Sequence, residues 1–167
     1  MALLIQCIIL CIIFSLIILI PQFKNPVSQI TSYPPAIRKR VESLPQYKNS
    51  LPQTKKKSIV RKIVGTLIAV IFLAILAYYS GKTTFTSAFI HVFVLFFAVN
   101  MYDLIVLDLL VFPNSKKVVI PGTEDMVAEY KNPLHHIKGA FKGTLIGVVS
   151  AILAASLVVL IKQTGLW

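Results

Sequence analysis

Acidic residues are scarce in this chain of 167: six Asp and Glu stand against 17 Lys and Arg, a formal net charge of +11. That imbalance would suit a nucleic-acid binder, but the basic residues fall between hydrophobic runs rather than on a soluble domain. Nucleic acid is therefore not expected as a partner, and an anionic lipid surface takes its place. Cysteine is almost absent. Cys7 and Cys11 lie four apart in one apolar stretch, so they share a helix face and cannot bridge each other. The chain holds no His-Glu-x-x-His, no Cys-x-x-Cys, no nucleophile elbow, no phosphate loop and no dinucleotide glycine fingerprint. These absences remove the motifs that fix a reaction, and the sequence names no cofactor and no metal.

What the chain has instead is apolar residues, 56% of the total with a mean hydropathy of +0.79, above the roughly 45 to 50% of soluble domains. The expected class is an all-α, polytopic integral membrane protein forming a single transmembrane domain over residues 1–167. A span needs about 20 mostly apolar residues, and four segments qualify: 2–20, 63–80, 85–112 and 139–161. The first contains no charge and ends at Pro21. It has no basic leader and no small-x-small cleavage site, and it is too long for a signal-peptide core, so it reads as a retained anchor. The second runs from Arg61 and Lys62 to the interfacial pair Tyr78 and Tyr79, and residues 80–84 make a tight hairpin to the third. The third continues to Phe112, where Pro113 stops it. At 1.5 Å per residue it exceeds a bilayer core and must tilt or protrude. Asn132 and Pro133 start the fourth helix as cap and first turn, and Lys162 and Trp167 close the far interface.

Charge sets the expected orientation. Ten Lys and Arg lie between the first two spans and five between the third span and the first turns of the fourth, while Lys82 and Lys162 remain elsewhere. The positive-inside rule then puts loops 21–62 and 113–138 in the cytosol and both termini outside, with the plasma (cytoplasmic) membrane as the expected location. Six prolines in residues 21–62 predict a mostly extended loop. Within it, Ile37, Val41 and Leu44 at helical spacing beside Arg38, Lys39 and Arg40 predict a short amphipathic helix lying on the inner leaflet. The run Lys55 to Lys57 with Arg61 and Lys62 adds attraction to anionic lipid.

The most regular pattern is in the fourth span, where Gly139, Gly143, Gly147, Ala151 and Ala155 recur every fourth residue. Such a ridge lets another helix backbone approach closely, from the same chain, from a second copy in a homo-oligomer or from a membrane partner. The third span carries His91, Asn100, Asp103 and Asp108, and ionisable groups in a span suggest function or a buried partner. Asn100 and Asp103 share a face of an α-helix, whereas His91, on another face, is expected to be a hydrogen-bonded core histidine. In the following loop a Pro-Gly turn at Pro121 and Gly122 precedes a short helix capped by Thr123, which places Glu124, Asp125 and Glu129 near the membrane. His135, His136, Lys138 and Lys142 open the fourth helix.

These residues predict a polar cluster at the cytosolic ends of the third and fourth helices. In a structural or partner- and lipid-contacting reading, Asp103 and Asp108 pair with His135, Lys138 or Lys142. In an enzymatic reading, Asp103, Asp108, His135 and His136 converge on a metal or act as acids and bases, with Asn100, Glu124, Asp125, Lys138 and Lys142 as contacts, on a lipid-like or phosphate-bearing substrate. A haem between histidines is excluded, since His91 and His135 are expected on opposite sides of the bilayer. A third reading, a subunit of an oligomeric transporter, needs a partner, because four helices with no internal repeat leave little room for a pathway.

Overall fold

The computed structural model describes residues 2–48, 50–51 and 55–164. Pro52, Trp167 and the side chains of Lys55, Lys56, Lys57, Arg61 and Lys62 lie outside the described set. The described residues form helices and turns, with no strand among them. The elements are α1 (Ala2–Lys24), α2 (Pro35–Ser43), α3 (Lys55–Tyr79), α4 (Phe85–Tyr102), a π-helical stretch (Asp103–Val111), the short turn α5 (Phe112–Asn114), α6 (Val127–Tyr130) and α7 (Pro133–Thr164). Three helices are long and apolar enough to cross a membrane: Ala2–Lys24, Phe85–Asn114 and Val127–Thr164; a shorter apolar helix covers Ile63–Tyr79.

Helices α3, α4 and α7 share one apolar core of Val70, Leu73, Ala74, Ala77, Ala88, Val92, Leu95, Ala151, Ala154, Ala155 and Val158. The small residues let backbones close in, which is how helices gain packing contacts where water offers no drive. Helix α1 adds less. Its leucines and isoleucines remain largely exposed, as suits a lipid-facing surface, and its polar side chains make the specific contacts. Gln6 Nε2 donates to Ser80 Oγ at 2.9 Å, and Ser15 Oγ meets Tyr102 Oη at 2.8 Å. The hairpin between α3 and α4 turns at Gly81, whose φ of +74° favours glycine. The paired side chains of Thr84 and Ser87 then cap α4.

Three expectations about the chain's course are corrected. Helix α1 does not end at Pro21 but runs on to Lys24. The loop after it is not extended: residues Pro26–Ser32 and Pro45–Tyr47 are 3-10 turns flanking α2. Pro26, Pro35 and Pro45 each stand in the first turn of a short helix, where a missing N–H costs nothing and the fixed φ is already helical. The prolines thus start helices rather than forbid them. Nor does α2 present its apolar face to lipid. Ile37 and Val41 are fully buried, and they join Val27, Ile30, Tyr33, Val118, Ile120 and Tyr130 in a second core. The two loops fold together as a cap.

Polar contacts lock that cap. Arg40 pairs with Asp125 at 3.0 Å, and Tyr47 Oη donates to the Pro121 carbonyl at 3.0 Å. The Pro-Gly turn is present, with Thr123 N–H bonded to the Ile120 carbonyl at 3.0 Å and Gly122 at φ +89°. Thr123 is not the helix cap, a place taken by Met126. It is buried, donates to the Ile120 carbonyl at 2.6 Å and meets Tyr130 Oη at 2.7 Å.

Candidate functional site

The ridge on α7 has neighbours within the chain. A methyl group added at Gly147 would stand 2.5 Å from Phe96 Cδ1, and one at Gly143 would collide with Asn100 Oδ1. Ala151 and Ala155 are fully buried in the apolar core. Gly139 differs: nothing lies within 4 Å of such a methyl, so it does not take part in the close contact. Asn100 fits this seam by donating from Nδ2 to the Ala140 carbonyl at 2.9 Å and to Thr144 Oγ1 at 3.0 Å. It therefore binds helix to helix and does not join the acids.

Beyond Asn100 the helix that continues from α4 changes its winding. In an α-helix Asp103 and Asp108, five apart, would point about 140° from each other. The segment Asp103–Val111 is π-helical instead, and its wider turn, with i to i+5 bonding, brings the residue five positions on back toward the side of the first. Asp103 is accordingly within electrostatic reach of both Asp108 and His136. The α-helical reading of this face is corrected by that winding.

His136 is the partner of Asp108. Its Nδ1 lies 3.0 Å from Asp108 Oδ2, with both side chains mostly buried. The expected partners do not pair with either acid: Lys138 and Lys142 point outward and are exposed, and His135 Nε2 lies 3.1 Å from the Ser32 carbonyl. The rings of His135 and His136 meet edge to face at 5.4 Å. Residue 136 comes one position, or 100°, after residue 135, so the two rings reach opposite neighbours: one the cap, the other the π-helical stretch.

The Asp108–His136 pair lies on the wall between two cavities. The inner one, about 40 Å³, is bounded by Gln22, Ser32, Tyr33, Val118 and Tyr130, with Asp108 and His136. The outer and more open one, about 280 Å³, is bounded by Leu109, Pro113, Asn114, Tyr130 and Lys131, again with Asp108 and His136. Tyr33 and Tyr130 meet edge to face at 5.9 Å, Gln22 Nε2 donates to Tyr33 Oη, and Tyr33 Oη donates to the Val118 carbonyl at 2.8 Å. Burial, followed by the adjacent Tyr130, pushes the Tyr33 phenol above its ordinary range. It stays a neutral donor. Tyr130 Oη in turn accepts the Ile120 N–H at 3.0 Å. Sequence reasoning missed Gln22, Tyr33, Tyr130 and Lys131, whose roles arise only when the two loops close on each other.

Glu124 and Asp125 stand apart from this site. Backbone N–H groups of Glu124 itself and Gly122 hold the Glu124 carboxyl below its usual range, and Asp125 pairs with Arg40. Both stabilise the cap turn. His91 also differs from expectation: it is buried, but its Nε2 has no hydrogen-bond partner among the described residues. No group of three or more His, Cys, Asp or Glu side chains among the described residues is arranged to hold a metal. Comparison with protein-family models, curated proteins and solved structures finds no match.

Proposed function

We propose that the chain is a four-span protein of the cytoplasmic membrane, with both termini outside, which binds the phosphate-bearing headgroup of a membrane lipid beneath its cytosolic cap. The observation that carries the reading is the outer cavity, whose wall combines Lys131, Asn114, His136 and Asp108 at the end of two helices long and apolar enough to cross a membrane. An ammonium there suits a phosphate, and the apolar wall of Leu109 and Pro113 suits the glycerol and upper acyl chain beside it. Besides the three long helices, the apolar stretch Ile63–Tyr79 of α3 supplies the remaining span. The fifteen basic residues that fall in the chain segments 21–62 and 113–142 support the orientation.

Two measurements test this. A cysteine at Ser50 is expected to react with an impermeant thiol reagent only from the cytosolic side, and one at Thr164 only from outside; the reverse pattern overturns the orientation. In detergent, native mass spectrometry is expected to show phosphatidylglycerol retained by the wild-type protein and about tenfold weaker retention by Lys131→Gln. Inorganic phosphate at millimolar concentration should not displace the lipid. Displacement would mean that the site takes free phosphate, and equal retention by the variant would remove the headgroup reading.

A further inference from the structure

We propose that His136 is a general base that hydrolyses an acyl ester of the lipid held in the outer cavity, with Asp108 as its positioning residue. This inference rests on the headgroup reading and adds a reaction to it.

The geometry supplies the parts that ester hydrolysis by activated water requires. Asp108 Oδ2 accepts from His136 Nδ1 at 3.0 Å, which fixes the imidazole tautomer and leaves Nε2 as the basic nitrogen. Among the described residues no protein group bonds that Nε2, and His136 forms part of the wall of both cavities. The pair is set on rigid elements: His136 is in the first turn of a 32-residue helix and Asp108 in the π-helical stretch. A surface ion pair would have no need of such support. Asn114 Nδ2 donates one hydrogen to the Leu110 carbonyl at 2.8 Å and keeps a second. Asn114 also lines the outer cavity, which puts that second hydrogen within the site that would meet a developing oxyanion. With the phosphate at Lys131, the ester bonds of a glycerophospholipid lie just below the headgroup, at the depth of the apolar wall.

The reaction needs only water. The water oxygen bonds to the ester carbonyl carbon while its proton passes to His136 Nε2, and the carbonyl oxygen becomes the oxyanion. On collapse the bond to the glycerol oxygen breaks, and that oxygen takes the proton from the imidazolium. The products are a fatty acid and a lysophospholipid, and His136 returns to its neutral form. One histidine suffices because attack and departure occur on the same tetrahedral carbon.

The test uses the full chain reconstituted in phosphatidylglycerol vesicles, with fatty acid and lysophosphatidylglycerol measured by mass spectrometry. Wild-type protein is expected to release both products in equal amounts, and His136→Ala to lose at least about a hundredfold of the rate. Asp108→Asn is expected to lower kcat by a larger factor than it changes KM, because it disturbs the orientation of the base while Lys131 keeps its hold on the phosphate. Lipid retention is measured on each variant alongside. Retained lipid with no hydrolysis by wild type overturns the reaction and leaves the headgroup reading in place, whereas no retained lipid overturns both. Hydrolysis that persists in His136→Ala, or a rise in KM without a fall in kcat in Asp108→Asn, also overturns the proposal.

Discussion

Leucine in place of Gly147 is expected to lower the thermal midpoint of the detergent-solubilised protein sharply, while leucine in place of Gly139, two turns earlier on the same ridge, leaves it unchanged or slightly raised. At residue 147 the first added carbon already falls 2.5 Å from Phe96 Cδ1 and 2.9 Å from Cε1. Phe96 cannot retreat freely, since it packs against the shared core of α3, α4 and α7. Overpacking of this kind costs about 1–3 kcal/mol and sometimes more. At residue 139 nothing lies within 4 Å, so the substitution meets only the gain of replacing glycine in a helix, up to about 0.8 kcal/mol. Gly143 should resemble Gly147, because a side chain there displaces Asn100 from its bonds to Ala140 and Thr144. Equal tolerance at residues 139 and 147 would show that α4 and α7 do not meet in this register.

The second large effect is expected in the cap. Ile37→Ala removes a fully buried side chain from the core formed with Val41, Val118, Ile120 and Tyr130, and such truncations cost about 2–5 kcal/mol. The loss should appear as faster tryptic cleavage at Arg38, Lys39 and Arg40 in detergent, where no bilayer covers the loop. Arg38→Ala serves as the comparison. Its pair with Glu42 at 2.9 Å is exposed on both sides, and exposed pairs contribute at most about 1 kcal/mol. If α2 instead lay on the lipid surface, detergent would already have released it. Ile37→Ala would then be cleaved no faster than wild type, and the cap would have to be abandoned.

Long apolar stretches dictate helices without help from tertiary contacts, because a backbone in hydrocarbon must satisfy its own hydrogen bonds. For that reason the helical class, the three long apolar helices, the Asn132–Pro133 start of α7 and the Pro-Gly turn were legible in composition and local chemistry. The ridge of small residues was legible as a pattern. Which of its members are in contact was not, since Gly139 and Gly147 look alike until α4 is placed beside them.

The tertiary structure decided the site. Ile37, Val41 and Leu44 carry the same pattern whether the covering surface is lipid or protein, and only the fold of the second loop supplies Val118, Ile120 and Tyr130 as the cover. Likewise, Asp103 and Asp108 are five apart, a spacing that separates them in the α-helix that any apolar run predicts. No residue type announces a π-helical turn, and the choice of His136 over His135, Lys138 and Lys142 as the partner of Asp108 goes with it. The sequence by itself determined that this chain is helical with helices apolar enough to cross a membrane, and that Asp103, Asp108, His135 and His136 fall near the joined ends of two of them. Only the close approach of those helices, and the closure of two loops over them, determined which acid meets which histidine, because that choice depends on fractions of a helical turn.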